Sequence, residues 1–254
     1  TYLEECSSGS SNSQKRITPD VLMSAKLSFP SRREQDAIGQ LMTILDDLLA
    51  LHQRQTQKLT ELKTGLLQNM FPREGESVPR LRFPGFTTTW KQQKLEDVVT
   101  VYSGRDYKGI PAGTIPVYGT GGYMLSISQA LSDKNDAIGI GRKGTIDHPF
   151  ILKAPFWTVD TLFYCVPQHD YDLDFIYSLY QKVPWKALDE STGVPSLSKM
   201  TINHIKVLLP SLPEQKQIGS LFHQLDDCIH LHEQYTVKLT HLKKGLLQKM
   251  FPQD

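Results

Sequence analysis

The pattern of apolar positions divides the chain into three stretches. In 30–72 and again in 210–252, leucine and isoleucine recur at steps of three and four residues, which is the spacing of one face of a long helix. Between them the apolar runs are short and bounded by glycine and proline, which is typical of strands joined by turns. The pattern predicts an α+β domain between two long helices.

The two helical stretches are copies of one another. They align without a gap at a constant offset of 180, with 25 of 43 positions identical. Each copy opens on Ser-x-x-Glu, Ser31/Glu34 and Ser211/Glu214, a capping box in which both side chains satisfy amides of the first turn. Each ends in Met-Phe-Pro, where proline stops a helix. We expect the first Met-Phe-Pro to be a hinge into the domain that follows.

An a/d seam of about four heptads runs through each copy and predicts that the helices pack on one another. Its positions are Ile38, Leu41, Leu45, Leu48, His52, Gln55, Leu59, Leu62 and Leu66, then Ile218, Leu221, Leu225, Cys228, His232, Tyr235, Leu239, Leu242 and Leu246. Leu45 and Leu225 are matched apolar positions of this seam. His52 and His232 interrupt it at one place, either to set the register or as polar residues tolerated near the surface.

Two matched glycines, Gly65 and Gly245, lie inside the helices, where each costs about 1 kcal/mol relative to alanine. We therefore expect close backbone approach at both. Because the chain leaves the end of one helix and returns at the start of the other, the helices are expected to be antiparallel. The predicted fold class is α+β, with one globular domain inserted between two long antiparallel coiled-coil helices.

The glycine-rich segment between the helices predicts short elements. Strands are expected at 98–102, 115–118, 137–140, 150–152, 161–166 and 205–209, and helices at 94–98, 173–181 and 199–203. The expected division of the chain is 1–29, 30–72, 73–80 as a linker, 81–209 as the globular domain, and 210–254. Much of 1–15 is expected to be poorly packed because of its serine and glycine content.

Composition restricts the function classes. The net charge is only +1 over 254 residues, so nucleic-acid binding would need a local patch rather than bulk charge. No apolar run is long enough to span a membrane. Cys6, Cys165 and Cys228 are odd in number and contain no Cys-x-x-Cys, which favours a reducing, cytoplasmic setting over disulfides or structural zinc.

No motif in the globular segment requires an enzyme. Gly139 to Gly144 satisfies G-x-G-x-x-G, but the residues after it run toward a turn and a strand, whereas a dinucleotide loop opens a helix. There is no P-loop, Asn/Asp-Pro-Pro-Tyr/Phe methyltransfer motif or Gly-x-Ser-x-Gly elbow. The acidic cluster Asp160, Asp170, Asp172 and Asp174 is interpreted as a solvated edge and a helix start. A nuclease or hydrolase is the least favoured class.

Four glycine-containing loops are suited to contact DNA. Long cations and small donors between glycines can reach phosphates and base edges. The predicted contact residues are Arg105, Lys108, Tyr118, Thr120, Gly121, Arg142, Lys143, Thr192, Ser196 and Lys199. For any one loop taken alone, a solvated turn is a better explanation than DNA contact, whereas four such loops in one domain favour binding.

Several motifs together resemble the DNA-specificity subunit of type I restriction-modification enzymes, over essentially the whole chain. They are Leu-Pro-Ser-Leu-Pro-Glu-Gln-Lys-Gln-Ile from residue 209, Leu-Asp-Asp from 225, Leu-Lys-x-Gly-Leu-Leu-Gln-x-Met-Phe in both copies, Arg-Phe-Pro-Gly-Phe from 82 with Trp90, and Thr-Gly-Val-Pro from 192. The resemblance implies that 81–209 is a target recognition domain and that the long helices are conserved spacers. It also implies a cytoplasmic, non-catalytic subunit.

The resemblance further implies the partners. These are double-stranded DNA, methyltransferase subunits and, indirectly, restriction subunits, with S-adenosylmethionine, ATP and Mg²⁺ bound by the partners rather than by this chain. A full member has two recognition domains, whereas here residues 1–29 resemble only the end of the first. The second reader of a bipartite target could then come from a homodimer. The alternative function is a coiled-coil adaptor whose inserted domain binds protein.

Overall fold

A computed structural model describes residues 18–24 and 29–250 of the chain. The expectation for 1–15, and Cys6, lie outside the described residues. The chain divides into two compact units, one containing the described residues up to Lys58 and from Ile229 onward, the other Leu59–Cys228.

The helices are α1 (Pro19–Met23), α2 (Arg32–Asn69), α3 (Leu173–Tyr180), α4 (Lys199–His204) and α5 (Leu212–Met250), with 3-10 helices at Leu95–Asp97 and Trp185–Leu188. The two long helices, α2 and α5, start within two residues of the predicted capping serines. Helix α2 ends one residue before Met-Phe-Pro, as the proline predicts.

In the first unit, α2 and α5 are antiparallel and meet through polar groups. Asp46 forms an ion pair with Lys243. The Nδ1 atoms of His52 and His232 are 2.8 Å apart, so one ring donates to the other, and His52 also stacks on Tyr235 at 5.0 Å. The two histidines that interrupt the predicted seam therefore face each other and fix which residues of the helices are opposite.

The predicted seam holds at some positions and fails at others. In the first unit Leu45 is buried, with 4% of its surface exposed, but Leu48 and Leu242 are exposed. In the second unit Leu225 is buried and Lys63 forms an ion pair with Asp226. Leu62 and Cys228 are exposed there. Apolar residues at heptad spacing are thus not all buried between the helices.

The prediction about the two helical glycines is wrong within the described chain. A Cβ atom added at Gly65 or at Gly245 would meet nothing within 4 Å. Neither glycine is needed for close approach of backbone in this structure.

The second capping box is also wrong, although the helix begins where it predicts. The Glu214 carboxylate accepts from Arg82, with Nε and Nη2 at 2.5 and 2.7 Å, instead of turning back to its own helix. In the first copy the Glu34 amide lies 3.4 Å from Ser31 Oγ, as a cap requires. The same motif therefore serves two purposes.

Nine strands in the second unit form three small sheets. Their bounds are β1 (Lys91–Lys94), β2 (Val99–Ser103), β3 (Ala112–Gly119), β4 (Gly122–Ile127), β5 (Ala137–Gly141), β6 (Phe150–Leu152), β7 (Trp157–Thr158), β8 (Leu162–Pro167) and β9 (Lys206–Leu209). The sheet orders are β2-β8-β5-β6, β4-β3-β7 and β1-β9. All pairs are antiparallel except β3 with β7.

The six predicted strands and the predicted helices all coincide with elements of the structure. The α+β fold class, with a sheet domain between two long helices, is confirmed. Sequence reasoning missed β1, β4 and β7. Strand β1 is polar at all four residues, β7 has only two residues, and β4 does not alternate buried with exposed residues along its six. Exposed edge strands carry little of the alternation that reveals a strand.

The core of the second unit forms around Phe71. This ring is 2% exposed and has centroid distances of 5.3 Å to Phe175, 5.9 Å to Trp90 and 6.0 Å to Phe222. A buried aromatic residue with three aromatic neighbours anchors the chain where α2 ends. The predicted hinge is therefore wrong at this residue.

Two features are absent from the described residues 18–24 and 29–250. No helix among them is long and apolar enough to cross a membrane. They also contain no group of three or more His, Cys, Asp or Glu side chains placed to hold a metal ion.

Candidate nucleic-acid interface

A polar cleft of about 620 Å³ lies between sequence-distant loops of the second unit. It is lined by Ser103, Arg142, Lys143, Asp160, Thr161, Phe163, Glu190, Ser196, Leu197, Ser198 and Lys199. Strands β2, β5 and β8 supply one wall and the segment leading into α4 supplies the other. The cleft therefore depends on the tertiary fold and on no single motif.

The Arg142-Lys143 turn is held in place by its backbone. Strand β5 ends at Gly141, where a Cβ atom would lie 1.9 Å from the Thr145 carbonyl oxygen, so the turn requires glycine. The amides of Arg142 and Lys143 both donate to the Thr161 carbonyl, at 2.8 and 3.2 Å. No helix follows the turn, in agreement with the prediction that this glycine loop is not a dinucleotide loop.

A second loop, 191–196, packs against this turn. Lys143 bridges to Ser196 as an isolated antiparallel pair, and the Leu197 amide donates to the Arg142 carbonyl at 2.9 Å. Asp189 orders the loop by accepting from the Ser196 amide at 2.9 Å and from the amide and hydroxyl of Ser191. The two loops thus present one continuous surface.

These hydrogen bonds to Asp189 also determine its protonation. The Ser196 amide, followed by the Ser191 groups, lowers the pKa of Asp189 below its ordinary value of 3.8. A carboxylate with a depressed pKa contributes order above its unfolded pKa and loses it as the pH falls through the folded value. The loop is therefore fully ordered by Asp189 at neutral pH.

A third cation and a third loop complete the surface. Lys199 is exposed at the first residue of α4, where Ser198 caps the helix by accepting from the Thr201 amide at 3.0 Å. Thr120 Oγ1 lies 3.7 Å from the position that a Cβ atom on Gly144 would take, so the turn between β3 and β4 borders the Arg142 turn. Exposed cations and hydroxyl groups on fixed turns are the groups that contact phosphates and base edges.

Comparison with known proteins places this geometry in a family. Residues 87–241, which include every residue that lines the cleft, match the family model described as the type I restriction modification DNA specificity domain. The match covers more than half of the chain. The chain belongs to this family.

A relative from this family shows how far the sequence similarity extends. The chain is 22% identical to the type I restriction enzyme MjaVIII specificity subunit of Methanocaldococcus jannaschii, over 91% of this chain and 62% of that protein. The chain thus spans less than two thirds of that relative's length.

The solved structures agree with the fold of the family. A type I restriction-modification S subunit from M. genitalium superposes with a TM-score of 0.77 at 18% identity, covering 99% of this chain and 69% of the other. An HsdS subunit from Thermoanaerobacter tengcongensis gives a TM-score of 0.55 at 16% identity, covering 98% and 67%. At these identities the likeness establishes the fold alone.

The structure brings some of the predicted contact residues together. Arg142, Lys143, Ser196 and Lys199 line the cleft, and Thr120 lies beside it. These residues come from three of the four predicted loops, which supports treating them as one surface.

Other predicted contact residues do not line the cleft. They are Arg105, Lys108, Tyr118, Gly121 and Thr192. The Arg105 carbonyl accepts from Trp157 Nε1 at 2.9 Å, and Tyr118 packs on Phe150 at 6.0 Å. Lys108, Gly121 and Thr192 are exposed. Their role in DNA contact stays a prediction.

Two acidic residues of the cleft escaped sequence reasoning. Asp160 was interpreted as a solvated edge together with Asp170, Asp172 and Asp174, but it lies in the cleft, whereas Asp172 caps α3 by accepting from the Phe175 amide. Glu190 carried no motif at all.

Burial raises the pKa of Asp174, which lies outside the cleft, although His223 opposes the shift. The four aspartates of this cluster therefore have different roles, since Asp160 lines the cleft and Asp172 caps α3.

Proposed function

We propose that the globular domain binds double-stranded DNA and reads one half of a bipartite target, without catalysing a reaction itself. The observation that carries this proposal is the cleft, which brings Arg142, Lys143 and Lys199 together on ordered turns in a chain of net charge +1. Membership of the DNA specificity domain family supports the same function.

The other segments of the chain receive their proposed roles from membership of this family. Residues 81–209 are the recognition domain, 73–80 a linker, 30–72 and 210–254 the spacer helices, and 1–29 the end of another recognition domain. The helices dock methyltransferase subunits and, through them, restriction subunits. S-adenosylmethionine, ATP and Mg²⁺ are bound by those partners, and the complex works in the cytoplasm.

The globular domain is held on the start of α5 by three residues of that helix. The buried Glu214 carboxylate pairs with Arg82, and Gln215 Oε1 accepts from the Asp172 amide at 3.1 Å. Gly219 allows the domain to approach, because a Cβ atom there would lie 2.3 Å from Asp172 Oδ1. Three residues of the helix thus form a docking face.

The start of α2 carries the same three residues, and within the part of the chain that the structure describes no globular domain packs on them. Glu34 and Gln35 are exposed, and a Cβ atom on Gly39 would meet nothing within 4 Å. Gln35 nevertheless holds its backbone in the same way as the matching glutamine of α5, by donating to the Pro30 carbonyl at 2.8 Å. The face of α2 therefore fits a second recognition domain, the other half of a bipartite reader.

Binding of duplex DNA by the chain assembled with its methyltransferase subunits tests the proposal. Replacing Arg142 or Lys143 with alanine should weaken binding by roughly 10-fold while assembly is retained. If the lost contact is to a phosphate, the slope of log affinity against log salt should also fall by about 1. The control is Lys153→Ala, a lysine outside the cleft that pairs with Asp136 at 2.9 Å.

Unchanged affinity of both cleft variants at several salt concentrations would place DNA on another face. Absence of any duplex affinity in the unmodified complex would overturn the proposal altogether. Discovery of a protein ligand for the domain under the same conditions would then favour the adaptor.

A further inference from the structure

The cleft contains opposite charges that do not neutralise one another. Arg142, Lys143 and Lys199 contribute cations, and Asp160 and Glu190 contribute carboxylates. Within 18–24 and 29–250, no ion pair involves any of these five side chains. A surface built only for phosphates gains nothing from carboxylates, since they repel the backbone of DNA. A mixed set instead suits a ligand with both acceptors and donors.

Arg142 is prepared for a ligand with two adjacent acceptors. Its Nη1 donates to the Asp160 carbonyl at 3.3 Å, and its guanidinium carbon lies 5.9 Å from the centroid of the Phe163 ring. A guanidinium has five N–H donors in a rigid plane, so anchoring one edge leaves a fork for a ligand. The Arg142 amide donates to the Thr161 carbonyl at 2.8 Å, and the Arg142 carbonyl accepts from the Leu197 amide at 2.9 Å. These two bonds fix the backbone that carries the guanidinium.

Glu190 is held as an acceptor on the other wall. Its Oε1 accepts from the Ser198 hydroxyl at 3.1 Å, and its amide donates to the Ser196 carbonyl at 3.2 Å. The second carboxylate oxygen receives no hydrogen bond from the part of the chain that the structure describes. An amino group of a ligand would satisfy it.

Only one base pair matches this arrangement in the major groove. A G·C pair presents two neighbouring acceptors, N7 and O6 of guanine, followed by the cytosine amino donor. An A·T pair places its amino donor between two acceptors, so it cannot satisfy both prongs of an arginine fork. The free donors of Arg142 match the two guanine acceptors, and the Glu190 carboxylate matches the cytosine amino donor.

We propose that the cleft reads one G·C pair of the target, with the Arg142 fork on guanine and Glu190 on the cytosine amino group. Lys143 and Lys199 contact the flanking phosphates. This inference rests on the proposed function and adds the chemical identity of what the cleft recognises.

The test maps methylated sites in cells that express the chain with its methyltransferase subunits. Arg142→Ala should relax the modified motif at a single G·C position while the other positions are kept, and affinity for the original site should fall by about 10-fold or more. Glu190→Gln, which keeps the size of the side chain, should relax the same position. Lys143→Ala is the matched control and should lower methylation at all sites without changing the motif.

Three results would overturn the inference. They are an unchanged motif with Arg142→Ala, relaxation at an A·T position, and relaxation by Glu190→Gln at a position different from that of Arg142→Ala. A circular dichroism melt of each variant separates loss of folding from loss of recognition. If the unmodified complex leaves no sequence-dependent methylation, the proposed function fails, which is a different result from any of these.

Discussion

At the scale of single residues, the buried pair of Arg82 and Glu214 joins the globular domain to α5. The Glu214 side chain is 0% exposed and that of Arg82 13%, so neither is well solvated. Their hydrogen bonds raise the pKa of Arg82, which keeps the guanidinium charged. A buried charge that loses its partner is strongly destabilising, whereas replacing both partners by apolar groups can be neutral.

Arg82→Leu should therefore lower the free energy of unfolding by about 3 to 5 kcal/mol, because it leaves Glu214 buried and unpaired. Adding Glu214→Leu to that variant should recover much of the loss. Urea denaturation measures both. Arg80→Ala is the control, because Arg80 pairs with Glu76 in solvent, where such a pair contributes little to stability. Equal losses for Arg82→Leu and Arg80→Ala would contradict the assignment.

At the scale of elements, the repeated helices show how one sequence acquires two environments. Gly219 in α5 lies against the start of α3, where a Cβ atom would be 2.7 Å from the Phe175 amide nitrogen. Gly39, its counterpart in α2, has open space. The helix needs neither glycine, so the difference comes from packing alone.

Substituting these glycines with alanine separates the effect of helix propensity from the effect of packing. Gly39→Ala should stabilise the chain by up to about 1 kcal/mol, since alanine favours a helix and meets no obstacle. Gly219→Ala should destabilise it by about 1 to 3 kcal/mol, because the backbone of α3 must shift. Thermal or urea unfolding of the two variants measures the difference. A shift of the same sign for both would mean that the start of α3 does not pack on α5 as described.

At the scale of the whole molecule, we propose that the face of α2 formed by Glu34, Gln35 and Gly39 binds a second recognition domain. A second copy of this chain carries such a domain, but its docking groups Arg82 and Asp172 are already engaged by its own α5. A homodimer that fills this face must therefore transfer a domain from the α5 of one copy to the α2 of the other, which leaves that α5 without a domain. Domain exchange replaces contacts with equivalent ones and so has a low cost in free energy.

We expect the purified chain mixed with methyltransferase subunits to form complexes that contain two copies of the chain. Gly39→Ala should reduce this association, because a Cβ atom would obstruct the incoming domain, whereas Gly65→Ala should not. Sedimentation analysis gives the mass of each complex. Complexes with a single copy of the chain, or equal effects of the two substitutions, would contradict domain exchange.

The helices and most strands could be predicted from sequence because their signals are local. A period of three and four residues, a capping serine and a terminal proline specify a helix wherever it lies. Four of the cleft residues, Arg142, Lys143, Ser196 and Lys199, were predicted because glycine turns bracket cations. Glu190 was not, since its role depends on the loop that folds over it.

The sequence by itself determined the two long helices, the α+β domain between them and the family. Only the tertiary structure decided that Glu214 pairs with Arg82 while Glu34 stays exposed, although both occupy the same position of the repeat. The physical reason is that helical period and turn chemistry act over a few residues. A buried ion pair or a cleft instead needs groups that are far apart in the sequence, 132 residues for Arg82 and Glu214, and only folding brings these together.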